Sequence, residues 1–147
     1  MCARAAGRGE RPRGRPLGRT LALARINSAF ETGIASPLDA AILRVGDDEG
    51  VTERQTYRKL DEVPFDFERR RLSVVVAPAG GGERLLITKG APEGVLACCR
   101  DYETAGQRAP LDDSARERCT ATYRDLSSQG YRVLAVASRA ATEEGPY

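Results

Sequence analysis

Three short segments combine residue types and spacings suited to chemistry on a flat, charged ligand. The first is Pro64-Phe65-Asp66-Phe67-Glu68, followed by Arg69, Arg70 and Arg71 and the β-branched run Leu72 to Val76. An aromatic ring just ahead of a basic cluster can offer its face to a purine and its charge to phosphate. Stacking of a base on such a ring contributes about 1–3 kcal/mol. The same residues also suit a plain strand entry, with Phe65 and Phe67 in the core and the arginines in a solvated turn. The second segment is Ile87-Thr88-Lys89-Gly90-Ala91-Pro92-Glu93. Here a strand ends in Thr-Lys-Gly and Pro92 sits where a helix opens. Gly90 permits a close backbone approach, and Lys89, over a helix start, is placed to meet an anionic or polar ligand. A tight strand–helix turn with a solvated lysine is the alternative. The phosphate loop G-x-x-x-x-G-K-S/T occurs nowhere. In the third segment, Gly130-Tyr131-Arg132-Val133-Leu134-Ala135, Arg132 heads an apolar strand. It is either a solvated edge arginine or a phosphate contact.

The elements that must carry these residues are legible in the periodicity. Leu21, Ala24, Ile26 and Phe30 make a helical stripe, broken at Gly33. Ser36-Pro37 opens a second helix, with Ser36 as N-cap, Pro37 in the first turn and Asp39 at the positive end. The acidic loop Gly46 to Gly50 ends it. Thr56 to Asp61 reads as a strand leading into Phe65, and Leu72 to Ala77 and Arg84 to Thr88 as a hairpin across Ala79 to Gly82. A short helix near Pro92 to Cys99, a longer one near Asp112 to Ser128 stopped by Gly130, and a strand from Tyr131 to Ser138 follow. Hairpin-linked strands beside grouped helices indicate an α+β fold.

Composition narrows the function classes. No histidine is present, which excludes His-based acid–base chemistry, Ser-His-Asp triads and His-ligated metals. Cys2, Cys98, Cys99 and Cys119 lack C-x-x-C spacing and read as reduced thiols of a cytosolic protein. Only two lysines occur, Lys59 and Lys89. Of the 23 basic and 21 acidic residues, seven Arg and one Glu fall in residues 1–25, leaving 16 basic against 20 acidic in the rest. A nucleic-acid binder with a uniformly basic surface does not look like this, and nucleic acid is not expected as a partner. Residues 1–16 are Arg/Gly/Pro-rich and read as a disordered leader, residues 17–140 as one folded domain. No apolar run reaches the roughly 20 residues of a membrane span, so direct membrane insertion is not expected.

Taken in order, the segments resemble the nucleotide-binding (N) domain of P-type cation-transporting ATPases. Lys89-Gly90-Ala91-Pro92-Glu93 matches that family's KGAPE signature, and Phe65 before a basic cluster and an apolar strand matches its adenine segment. Gly130-Tyr131-Arg132-Val133-Leu134-Ala135 matches its phosphate-proximal arginine strand, and TGIASPLDAAIL, Thr32 to Leu43, its acidic helix. The wording NSAFETGIASPLDAAIL, DEVPFDFERRRLSVVV and TKGAPE is most similar to bacterial magnesium-translocating members. The resemblance implies a mainly antiparallel sheet of about six strands flanked by helices. It implies ATP, with Mg2+, as ligand: Phe65 stacking adenine, Lys89 and Gly90 lining the pocket, Asp39 making polar contacts, and Arg70 and Arg132 on the phosphate side. Asp39 is shorter than the glutamate of other branches, and Arg70 stands where lysine is frequent.

The resemblance also implies what the rest of such a pump supplies. The phosphorylated aspartate lies in a DKTGT segment of a separate domain; no Asp-Lys pair occurs here. The actuator's TGES loop and the membrane helices are absent too, and residues 141–147 read as a truncated tail toward the phosphorylation domain. The expectation is a monomeric, soluble fragment with no catalytic or metal-ligating residues of its own. It binds ATP without hydrolysing it, and works with the phosphorylation and actuator domains on the cytoplasmic side of the plasma (inner) membrane. The alternative is a stand-alone nucleotide-binding or regulatory module.

Overall fold

The computed structural model describes residues 2–4, 18–33, 36–45, 53–104 and 106–142. The loop expected at Gly46 to Gly50, residues 143–147 of the expected tail and residues 5–16 of the expected leader lie outside them. Twelve elements follow along the described chain: β1 (Cys2–Arg4), α1 (Arg19–Phe30), α2 (Pro37–Arg44), α3 (Glu53–Thr56), β2 (Tyr57–Asp66), β3 (Arg71–Pro78), β4 (Leu85–Gly90), α4 (Pro92–Leu96), β5 (Asp101–Thr104), β6 (Gln107–Pro110), α5 (Asp113–Ser128) and β7 (Ala135–Ala140). The strands form one seven-stranded sheet in the order β2-β3-β4-β7-β1-β5-β6. Every pairing is antiparallel except β1 with β5. The fold is the expected α+β arrangement.

Two strand segments have no counterpart in the sequence reading. One is the β5–β6 hairpin, turned with Gly106 at φ 79°. Its strands are only four residues each, β5 half-buried and β6 largely exposed, so no apolar period marks them. Cys2–Arg4, inside the stretch read as a disordered leader, instead form β1 and pair with both β7 and β5. That strand satisfies two facing edges that would otherwise leave unpaired backbone groups.

Side-chain alternation assigns the two faces of the sheet. Val74 and Val76 of β3, Ile87 of β4 and Val136 of β7 pack on Leu23, Ala24, Ile26 and Phe30 of α1. On the other face, Ala137 joins Val95, Cys99, Leu111 and Ala115 beneath α4 and α5. A smaller group there contains Val75, Leu86 and Ala141, so the core runs one residue past the expected boundary at 140.

Helix α1 is more than an amphipathic stripe: Arg25, Asn27 and Ser28 are buried beside its apolar residues. Each ties α1 to another element. Arg25 donates to the Leu43 carbonyl at 2.5 Å and to that of Val45, closing the C-terminal end of α2, and pairs with Glu53 of α3 at 2.5 Å. Asn27 donates to the Ile87 carbonyl of β4 at 2.9 Å. Ser28 donates to Asp39 of α2 at 2.8 Å. α2 starts as expected, with a capping box in which the Ser36 hydroxyl accepts from the Asp39 amide at 3.2 Å and Asp39 accepts from the Ser36 amide at 3.3 Å.

Candidate functional site

Where the ends of β2, β3 and β4 meet α1 and α2, a cavity of about 530 Å³ opens to solvent. That size lies within the range of small-molecule sites, roughly 300–1,000 Å³. Phe65, Pro64, Leu72, Leu38 and Leu134 supply its apolar surface; Glu31, Asp39, Glu62 and Lys89 supply charge.

Phe65 reaches the cavity because β2 bulges. Val63 pairs with Ser73 and Asp66 with Arg71, so Pro64 and Phe65 together oppose the single residue Leu72. A bulge on an edge strand accommodates a proline and re-aims the next side chain. Phe65 remains 49% exposed and Phe67 88%. Their rings meet edge to face at 5.2 Å and 87°. Of the two readings of this segment, the core-strand one does not hold for these rings.

Gly90 lines the cavity and also solves a packing problem. A Cβ there would lie 2.3 Å from the Arg70 carbonyl oxygen and 2.7 Å from the Arg71 Cα. Four residues on, a Cβ at Gly94 would lie 2.3 Å from the Arg69 carbonyl oxygen. The two glycines of Lys89-Gly90-Ala91-Pro92-Glu93-Gly94 therefore seat the arginine turn between β2 and β3. Ala91 donates to the Arg70 carbonyl at 2.9 Å and Arg71 to that of Gly94 at 2.6 Å.

Lys89 is not a solvated lysine. Its side chain is 5% exposed, and Nζ donates to Ser28 at 2.8 Å, to Glu31 at 2.9 Å and to Asp39. These three partners match the donor capacity of an ammonium group, so in this structure it faces carboxylates rather than a free anion. Glu62, across the cavity, accepts from the Thr32 amide at 3.1 Å and hydroxyl at 2.7 Å, and from Lys59. Both lysines of the chain thus pair with carboxylates that line the cavity.

Burial raises the pKa of Asp39, but hydrogen bonds from Lys89, Ser36 and Ser28 outweigh it and hold the carboxyl below its ordinary 3.8. At Glu31 burial wins over Lys89, helped by the charges of Asp39 and Glu62, and the pKa lies above 4.5. The two carboxyls therefore bend stability in opposite directions with pH. Asp39 contributes stability that is present above its unfolded pKa and lost as pH falls through its folded one. Glu31 adds a cost as pH rises through its raised folded pKa. Asp39→Asn is expected to lose stability at neutral pH and to flatten the acid-side decline, while Glu31→Gln loses less and steepens it. Urea unfolding midpoints of both variants from neutral pH down to about 2, through the windows of both carboxyls, check this.

The structure brings together Phe65, Lys89, Gly90 and Asp39 on one cavity. Arg70 and Arg132 do not line it. Arg70 is exposed on the turn at φ 52°, its carbonyl held by Ala91. Arg132 is exposed on the irregular Tyr131 to Leu134 stretch; β7 begins at Ala135, later than the sequence suggested. Glu31, Glu62 and Leu134 were missed. The one signal for the two acids was the scarcity of lysine, since each lysine sits where buried or half-buried carboxylates require a partner.

An α+β domain with a half-exposed aromatic on a bulged edge strand and a buried lysine at the head of KGAPE defines a class, and comparison with known sequences agrees with it. The profile of the family described as P-type ATPase, cytoplasmic domain N, matches residues 21–146, and the chain belongs to that family. It is 39% identical over 137 residues to the magnesium-transporting ATPase, P-type 1, of Salmonella typhimurium (strain 14028s / SGSC 2262), covering 91% of this chain and 15% of that protein. The protein of the same name from Escherichia coli (strain K12) is 39% identical over 131 residues, 88% of this chain and 14% of its own length. A plasma membrane-type calcium-transporting ATPase 2 of Arabidopsis thaliana is 31% identical over 108 residues, 71% of this chain and 11% of its own. The chain thus spans a small part of the relatives it matches. No helix among the described residues is long and apolar enough to cross a membrane.

Proposed function

We propose that this chain binds ATP, with adenine against Phe65, and presents the triphosphate to the phosphorylation domain of a magnesium-transporting P-type pump. The observation that carries this reading is the convergence of Phe65, Lys89, Gly90 and Asp39 on one open cavity. A purine is flat and uncharged. Pro64, Phe65, Leu72 and Leu134 give it apolar surface, and the carboxylates of Glu31, Asp39 and Glu62 are acceptors for an exocyclic amine. Those three acids outnumber Lys59 and Lys89, so the interior disfavours phosphate. The triphosphate then runs outward, toward the exposed Arg70 and Arg132. Lys89 serves by holding the carboxylates in place.

ATP brings the transferable γ-phosphoryl group, and the Mg2+ that travels with its phosphates offsets their charge. This chain's own residues bind and orient; an aspartate in a separate phosphorylation domain receives the phosphoryl group. Alone, the chain binds ATP without hydrolysing it. Its partners are the phosphorylation and actuator domains, at the cytoplasmic face of the plasma (inner) membrane. Magnesium as cargo rests on the names of the bacterial relatives.

Calorimetric titration of MgATP into the chain and into Phe65→Ala tests the reading. Because Phe65 is half exposed, the variant is expected to stay folded. Its affinity is expected to fall about 5- to 150-fold, the equivalent of 1–3 kcal/mol of stacking. Equal affinity in the variant removes Phe65 from the site. No uptake by the unaltered chain sinks the whole reading.

A further inference from the structure

Cys98 and Cys99 follow the last turn of α4, and their sulfurs converge on one atom. Cys98 Sγ donates to the Val95 carbonyl oxygen at 3.0 Å and Cys99 Sγ to the same oxygen at 3.1 Å. Neither is in a disulfide. Cys99 is buried in the cluster beneath α4 and α5, while Cys98 packs against the same cluster but is only half-buried, so Cys98 is the more accessible of the two. The hydrogen bond with Cys99, and behind it the charge of Arg71, outweigh burial and lower the Cys98 thiol from 9.0 to about 6. A thiolate is the reactive form of cysteine.

A direct bond between these two sulfurs is disfavoured. Consecutive Cα atoms lie about 3.8 Å apart across a trans peptide. A relaxed disulfide spans roughly 4.4–6.8 Å between Cα atoms. An electrophile that inserts one atom between the sulfurs lengthens the bridge and closes the ring with less strain. We propose that Cys98 and Cys99 form a two-thiol capture site for trivalent arsenicals. With an arsine oxide, two As–S bonds form and the As=O bond breaks. That oxygen leaves as one water, taking the Cys99 proton and a second one from the Cys98 thiol or, where Cys98 is ionised, from solvent. Arsenic remains trivalent, so no oxidant or reductant is required. The half-exposed Cys98 attaches first; Cys99 then closes the ring intramolecularly, at the high effective concentration of a neighbouring group. Val95 loses two S–H donors but keeps the Cys98 amide at 3.1 Å. Arg116 still holds the Leu96 and Cys99 carbonyls at 2.7 Å each, so the segment stays anchored.

The test treats the full chain with phenylarsine oxide, chases with excess mercaptoethanol and weighs the product by mass spectrometry. Cleavage by trypsin after Lys89 and Arg100 releases a peptide with both thiols and no other cysteine. One arsenical per chain is expected, on that peptide, surviving the monothiol chase and released by dimercaptopropanol. It is expected to be absent from Cys98→Ser and Cys99→Ser and retained in Cys119→Ser, whose thiol packs on the same cluster. An adduct on another peptide, one removed by the monothiol, or one that persists in Cys98→Ser overturns the proposal. Mapping on the unaltered chain gives the answer even if a serine variant folds poorly.

Discussion

Replacing Lys89 with methionine is expected to destabilise the chain by about 3–5 kcal/mol at neutral pH, the loss typical of a buried ion pair stripped of one partner. Glu31 and Asp39, with side chains 7% and 9% exposed, would be left facing each other with no cation between them. For a domain whose total stability is on the order of 5–15 kcal/mol, this is a large fraction. The deficit is expected to shrink as pH falls, because either carboxyl can then take a proton and lower its desolvation cost. It is also expected to shrink when Lys89→Met is combined with Asp39→Asn, since the second change removes the charge that the first left unpaired. Urea unfolding of the single and double variants measures both effects. A lysine whose only role was to touch a ligand would show neither.

Gly90→Ala is expected to cost on the order of 3 kcal/mol, at the upper end of what overpacking a filled interior does. The colliding atoms, the Arg70 carbonyl oxygen and the Arg71 Cα, are backbone and cannot swing aside. The need is for space: Gly90 is not among the positive-φ residues. The displaced turn lies between Phe65 and Leu72, so the variant is also expected to weaken ATP binding. Gly80→Ala is the control. Nothing lies within 4 Å of a Cβ there, and its unfolding midpoint is expected to stay close to the unaltered chain's or to rise slightly.

The elements with strong local signals were legible in the sequence. Ser36-Pro37 with Asp39 predicted the α2 cap, and the β-branched run at Leu72 predicted β3, because capping and alternation are local rules. Gly130, at φ 86°, ends α5 as read. Four residues that line the cavity were legible for a different reason: Phe65, Lys89, Gly90 and Asp39 lie in motifs that the family resemblance marks. What was not legible depends on contacts across the sheet. The Lys89–Glu31 and Lys89–Asp39 pairs join residues 58 and 50 positions apart, and no periodicity announces them. The buried Arg25, Asn27 and Ser28 broke the apolar stripe of α1 because their partners come from α2, α3 and β4. β1 and the β5–β6 hairpin are too short, at three and four residues per strand, for alternation to mark them.

The central claim, that the cavity beside Phe65 takes the base of ATP, is tested most directly by titrating MgATP into the isotope-labelled chain and following its amide signals by NMR. The account predicts saturable shifts at Thr32, Phe65, Leu72, Lys89 and Gly90, while Thr104, Cys119 and Tyr123 in the groove beside α5 stay unchanged. Shifts confined to that second groove, or none at all, would contradict it.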